Sequence, residues 1–202
     1  MSYVKNENTS ADFQGAEDFI LAKLRQELSP TLTYHGYHHT LDVLEAALKI
    51  AAAENISDEE RKLLRIAVLF HDAGFIHVYK NHEEKGCEMA REFLPGFGFD
   101  EKQVDIIEGM IMATKISRDP TTKLEEIISD ADLDYLGRED VYPIAQTLFE
   151  ELKVHAGLTD AGQWNSFQVN FLSNHHYHTR YALDLREPKK KIYLEQLQKD
   201  TR

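Results

Sequence analysis

Apolar residues recur at intervals of three and four along nearly the whole chain, as in Phe13, Ala16, Ile20, Leu24 and Leu28, while alternating apolar and polar positions are scarce. That spacing places the apolar positions on one face of a helix, and it predicts an all-α protein of roughly eight to ten helices. Three starts are marked by side chains able to satisfy the unpaired amides of a first turn: Ser57 with Glu60, Thr122 with Glu125, and Asp160 with Gln163. Gly74, the "PGFG" at 95–98, Pro120, Gly137, Gly157 and Pro188 fall between periodic segments and are expected to supply turns. No repeat or low-complexity linker divides the chain. Its 202 residues therefore suit one helical bundle, with a core at about 30–140 and the helices of 141–200 packed on it. Residues 1 to about 9 and the last few are expected to be loose.

Charge narrows the class of partner. With 23 basic against 35 acidic residues the formal net charge is -12, so the surface repels polyanions and duplex nucleic acid is not an expected partner. Negative charge suits a site that collects divalent cations. Cys87 is alone, which excludes an intramolecular disulfide, and the opening "MSYVKNENTS" lacks the basic and apolar segments of a secretory signal. The longest apolar run, "IAVLF" before His71, falls far short of the roughly 20 residues that cross a bilayer. A soluble, cytoplasmic protein without a membrane partner is the expectation.

Three segments place polar groups where the pattern is apolar. In "TYHGYHHTLDV" a helix would stack His35 and His39 on the line of Val43, Ala46 and Ile50, whereas His38 joins Asp42, Glu45 and Lys49 on a wetted face. In "RIAVLFHDAGF" a strongly apolar helix ends in His71 and Asp72, and a buried carboxylate there needs either a hydrogen-bonded imidazole or a cation. In "EEIISDADLDYLG" the spacing of Glu126, Asp130 and Asp134 predicts an acidic stripe facing water, while Asp132 follows Ile128 on an apolar line. His39, His71, Asp72 and Asp132 thus come inward from three helices. Imidazole with carboxylate oxygen is a ligand set for Zn, Mn, Fe or a comparable divalent ion.

The ordered quartet of His39, the "HD" at 71–72 and Asp132, with "YHGYHHT" before it and "DADLDYLG" after it, resembles the HD-domain metal-dependent phosphohydrolases over roughly residues 30–140. The resemblance implies a helical pocket in which a divalent ion (Mn, Mg, Fe or Zn) held by the quartet binds a phosphate oxygen and activates water, Asp72 being part of the catalytic set. It implies hydrolysis of a small-molecule phosphate ester, nucleotide-like in character.

"YHGYH" is similar to the opening of the cyclic-nucleotide phosphodiesterases, in which the earlier His protonates the departing oxygen; that match assigns the role to His35, the other reading being a structural histidine beside the metal. Gly36 stands where those enzymes carry Asn, which argues against a cyclic nucleotide. By the same kind of likeness His82 is a candidate ligand for a second ion and Glu83 a candidate to orient water, although both also suit an exposed helix start. Lys115, Tyr177, His178 and Arg180 are candidates to bind substrate. For "NHHYHTRYALDLR", carrying the last three, core packing is an equal reading. The Glu-Asp pair of the alarmone hydrolases is missing, and Phe75 replaces the Lys of the cyclic di-GMP-degrading branch. A catalytically silent binding module is the rival reading, and oxygen-activating di-iron chemistry a third. Oligomeric state is open.

Overall fold

The computed structural model describes residues 10–200, leaving the side chain of residue 200 aside. The termini expected to be loose, 1–9 and 201–202, lie outside these residues. The described chain forms ten α-helices: α1 (Phe13–Glu27), α2 (Tyr37–Ala53), α3 (Asp58–Phe70), α4 (His82–Phe93), α5 (Glu101–Ala113), α6 (Lys123–Asp132), α7 (Val141–His155), α8 (Ala161–Asn174), α9 (Arg180–Leu185) and α10 (Glu187–Asp200). Short 3₁₀ turns occupy Ala73–Ile76, Leu94–Phe97 and Asp134–Gly137, and no strand occurs among the described residues. The fold is a single all-α domain. No described helix is long and apolar enough to cross a membrane.

Caps explain several boundaries. Ser57 accepts from the Glu60 amide while Glu60 returns a bond to the Ser57 amide, a reciprocal box at the start of α3. Asp100 and Gln103 form a second such box at α5. Thr122 and Asp160 cap α6 and α8 through one bond each, from the Glu125 and Gln163 amides. At α6 the Glu125 carboxylate turns instead to the amide and hydroxyl of Thr121. Pro188 differs from expectation: it stands in the first turn of α10, where a missing N–H costs nothing.

Two layers position the site. Helices α1 to α6 enclose the main core, with α3 at its centre. Leu64 and every residue from Ile66 to Phe70 are fully buried, so this helix is apolar all round. Helices α2 and α6 pack together, α5 lies against α3, α4 and α6, and α7 to α10 add a second layer around Tyr135, Val141, Leu172 and Tyr193. That layer corrects the acidic stripe expected in water. Asp130 is fully buried and accepts from the His178 and Thr179 amides at 2.9 and 2.7 Å and from the Thr179 hydroxyl at 2.6 Å. Asp134 is buried too, accepting from Arg186 Nε at 2.7 Å. Helical periodicity shows which residues share a face, and here the C-terminal helices cover the polar face as well.

Gly74 and Gly86 permit the close approach of α4 to the end of α3. A Cβ on Gly74 would run into the His82 carbonyl, and one on Gly86 would stand 2.8 Å from the Phe70 carbonyl oxygen. Gly74→Ala is therefore expected to push the start of α4 outward at a cost of about 1–3 kcal/mol. For a domain of this size that is about 2–4 °C of Tm per kcal/mol, measurable by calorimetry. An unchanged Tm would contradict the packing.

Candidate metal centre

Four side chains converge from three places where helices end or begin. His39 lies on the third position of α2, His71 caps the end of α3, Asp72 follows it, and Asp132 is the last residue of α6. His39 Nε2 is 3.0 Å from Asp132 Oδ1 and 3.5 Å from Asp72 Oδ2, and His71 Nε2 is 3.2 Å from Asp72 Oδ2 and 3.5 Å from Asp132 Oδ1. His39, His71 and Asp72 each offer one ligand atom, all within 4.8 Å of one another.

The hydrogen bonding of His71 tests whether a cation fits. Its Nδ1 lies 2.6 Å from the Val68 carbonyl oxygen, which can only accept, so Nδ1 carries the proton. In the neutral ring Nε2 is then a bare lone pair aimed at carboxylate oxygens. His71 Nε2 and Asp72 Oδ2 are both buried without a hydrogen-bond partner. Acceptor facing acceptor in a buried place calls for positive charge between them. The donor set, imidazole nitrogen with carboxylate oxygen, fits a divalent ion, and a backbone carbonyl fixing the ligand tautomer is the usual outer support of a metal-binding histidine.

The same need appears in the proton affinities. Burial works against charge on His71, but Asp72 and Asp132 outweigh it and hold its pKa well above the ordinary histidine value. Burial pushes Asp72 and Asp132 upward, yet the neighbouring imidazoles hold both below the usual carboxylate range. Without a cation, protons take its place.

Around this centre the structure brings some of the other predicted residues and leaves some away. His82 opens α4, with Nε2 3.5 Å from Asp72 Oδ1, the oxygen that does not face His71; Glu83 Oε2 lies 3.6 Å from His82 Nδ1. Burial lowers the His82 pKa, which favours the neutral, ligating ring. His35 precedes α2 instead of riding on it, so the i, i+4 argument does not apply, yet its ring centroid is 5.8 Å from that of His39. The Phe75 ring packs against both His35, 4.4 Å away, and His82, 3.9 Å away. His38 is exposed, as its polar line implies.

The four residues expected to bind substrate lie elsewhere. Lys115 is paired with Glu84 and lines a neighbouring cleft together with His178. Tyr177 is buried and donates to the Leu133 carbonyl at 2.8 Å. Arg180 is 82% exposed and bonded to Asp184. His175 closes α8 beneath α10, where burial and the Lys190 ammonium, 3.1 Å from its Nδ1, push its pKa down to about 3.

Sequence reasoning passed over Glu151. It is fully buried on α7, with Oε1 2.5 Å from His35 Nδ1 and 3.0 Å from the Tyr79 hydroxyl. Its other oxygen accepts the Tyr34 and His35 amides at 2.9 and 3.0 Å. Burial lowers the His35 pKa, but the bond to Glu151 and the negative charges of Asp72, Glu151 and Asp132 together outweigh it and raise the value. The available signal was the line Ile144, Leu148, Glu151, His155, which places this carboxylate on the apolar face while Glu150 points out.

Comparison with known proteins agrees with this geometry. Residues 36–134 match the family model of the HD domain. The fold is similar to a solved structure described as a predicted HD superfamily hydrolase from an uncultured Thermotogales bacterium, at 24% identity over 92% of this chain and 89% of that one, with a TM-score of 0.59. It is also similar to Bacillus subtilis YpgQ, crystallised in complex with ADP, at 22% identity over 93% and 96% of the two chains, with a TM-score of 0.61. No curated protein matches the sequence.

Elemental analysis of protein purified without chelator is expected to find a divalent metal. His71→Ala and Asp132→Ala should each lose most of it, and saturating metal should raise the Tm of the parent but not of the variants. Equal metal content in all three proteins would overturn the assignment.

Proposed function

We propose that this chain, whose residues 36–134 match the family model of the HD domain, is a metal-dependent hydrolase of phosphate esters. The observation that carries the reading is the convergence of buried His39, His71 and Asp72 with half-buried Asp132 beside them, and acceptor atoms facing one another. His39, His71, Asp72 and Asp132 would hold the ion, with His82 available on the far oxygen of Asp72 for a second. A divalent cation bound there withdraws charge from a phosphoryl oxygen and makes water acidic enough to attack near neutral pH. Supporting the phosphate reading, YpgQ of this fold was crystallised with ADP.

The chain's own residues supply proton transfer and orientation. Glu151 fixes the His35 ring through Nδ1 and stabilises its protonated form, leaving Nε2 to deliver a proton to the departing oxygen. Phe75, stacked on both rings, holds His35 and His82 at a set separation, their centroids 6.0 Å apart. Glu83, 3.6 Å from His82 Nδ1 and lining the same cavity, would accept a hydrogen bond from the attacking water. In the net reaction a water oxygen bonds to phosphorus, the ester P–O bond breaks, the leaving oxygen takes the His35 proton, and the proton lost by water returns to the protein.

A panel of mono-, di- and cyclic nucleotides and simple phosphate esters, tested with Mn, Mg, Fe and Zn, is expected to show hydrolysis of at least one member, read as free phosphate from the monoesters and as the ring-opened monophosphate from the cyclic nucleotides. Ligand-dependent shifts in Tm with no product would instead assign a binding module. His35→Ala should lower kcat by about 10²–10⁴-fold on esters of poorly acidic alcohols. A proton donor must be protonated to act, so kcat falls as pH rises through the raised His35 pKa. Glu151→Gln, which removes the largest of the effects that raise it, should move this basic limb to lower pH; an unmoved limb would exclude His35 as the donor.

A further inference from the structure

The metal centre opens into a cavity of about 240 Å³ whose two ends differ sharply in chemistry. One end carries His35, Asp72, His82, Glu83 and Asp132. The other is walled by Leu148 and Leu152 of α7 and by Trp164, Phe167 and Phe171 of α8. No lysine or arginine lines it among the described residues. We propose that this far end is the subsite for the apolar alcohol portion of a phosphate monoester, aryl or alkyl, an inference that rests on the phosphate-ester reading above.

Three observations carry it. A chain of phosphates needs a cation or donor for each anionic group, and beyond the metal centre the walls provide no cationic side chain. Sugar hydroxyls would fare little better, because the α7–α8 wall offers them one polar side chain, Gln168, whose Oε1 already accepts from the Tyr193 hydroxyl at 2.5 Å, and a buried hydroxyl without a partner is unfavourable. The apolar wall is also built in advance. Trp164 lies between Phe149 at 5.4 Å and Phe167 at 5.7 Å, its plane within 8° and 18° of theirs, so the surface a ligand would meet is held by stacked rings.

At the cavity rim Ile116 is 78% exposed and Phe167 is half in solvent, and an apolar group entering the cavity would cover both. With the phosphoryl group at the His39, His71, Asp72 and Asp132 cluster and the alcohol against Trp164, the ester oxygen would lie within the same cavity that His35 lines. Water then attacks phosphorus, the bond to that oxygen breaks, His35 protonates it, and the free alcohol and inorganic phosphate separate.

Trp164 is the sole tryptophan of the chain, so its fluorescence reports the cavity without any need for turnover. The full chain would be titrated with benzyl alcohol, cyclohexylmethanol, ribose and adenosine, exciting at the red edge of the indole band where the benzyl ring is transparent. The two apolar alcohols should shift the emission saturably, and ribose and adenosine should not. With metal added, kcat/KM on benzyl phosphate and cyclohexylmethyl phosphate should exceed that on glycerol 2-phosphate and AMP by about 10–100-fold. Leu152→Asn should reduce this preference. Phe167→Ala, at a half-exposed position that tolerates truncation, should do so even if the buried variant fails to fold. Saturable shifts with the apolar alcohols but no hydrolysis of any ester would retain the apolar subsite and overturn the phosphate-ester reading. Hydrolysis of all four esters at equal kcat/KM, or emission shifts with ribose and adenosine equal to those with the apolar alcohols, would overturn the subsite.

Discussion

Buried acceptors that face one another are the constraint on which this structure turns. His71 spends its one proton on the Val68 carbonyl, which leaves Nε2 pointing at the carboxylates of Asp72 and Asp132. Two carboxylates and two imidazoles in one buried spot are stable only with positive charge among them, supplied by an ion or by protons. The raised proton affinity of His71 and the depressed values of Asp72 and Asp132 express the same demand from two sides.

The fold meets that demand by ending helices at one place. Helix α3 is apolar on every face, so it can only run through the core, and whatever follows Phe70 is delivered to the interior. Gly74 and Gly86 then let α4 close on this corner and bring His82 against the outer oxygen of Asp72. Asp132 arrives at the last turn of α6, which α2 packs against and which carries the centre's fourth side chain to His39. Ligand-bearing termini anchored by tightly packed helices hold their geometry better than loops do.

The second layer of helices supplies what helices α1 to α6 lack. Helix α7 contributes Glu151, without which the His35 ring and the amides of Tyr34 and His35 would be unpaired. Helices α7 and α8 together contribute the apolar half of the cavity. Asp130, far from idle, secures the turn into α9 by accepting from three donors, so the acidic residue two positions before Asp132 has an architectural task.

The linear pattern by itself was enough to determine the helical class, the starts of α3, α6 and α8, and the inward quartet, because a carboxylate or imidazole on an apolar line stands out against its neighbours. It also separated Asp132 from Asp130 by its place after Ile128 on an apolar line, though it wrongly sent Asp130 and Asp134 to water, whereas both are buried. What periodicity encodes is which residues share a face of one helix; what covers that face is settled by other helices. Only tertiary packing could therefore decide that Asp130 meets the amides of residues 178 and 179, that Glu151 reaches back more than a hundred positions to His35, and that Lys115 and Arg180 find partners away from the cavity. A side chain's chemistry is local, but its partner is chosen by the way the chain folds back on itself.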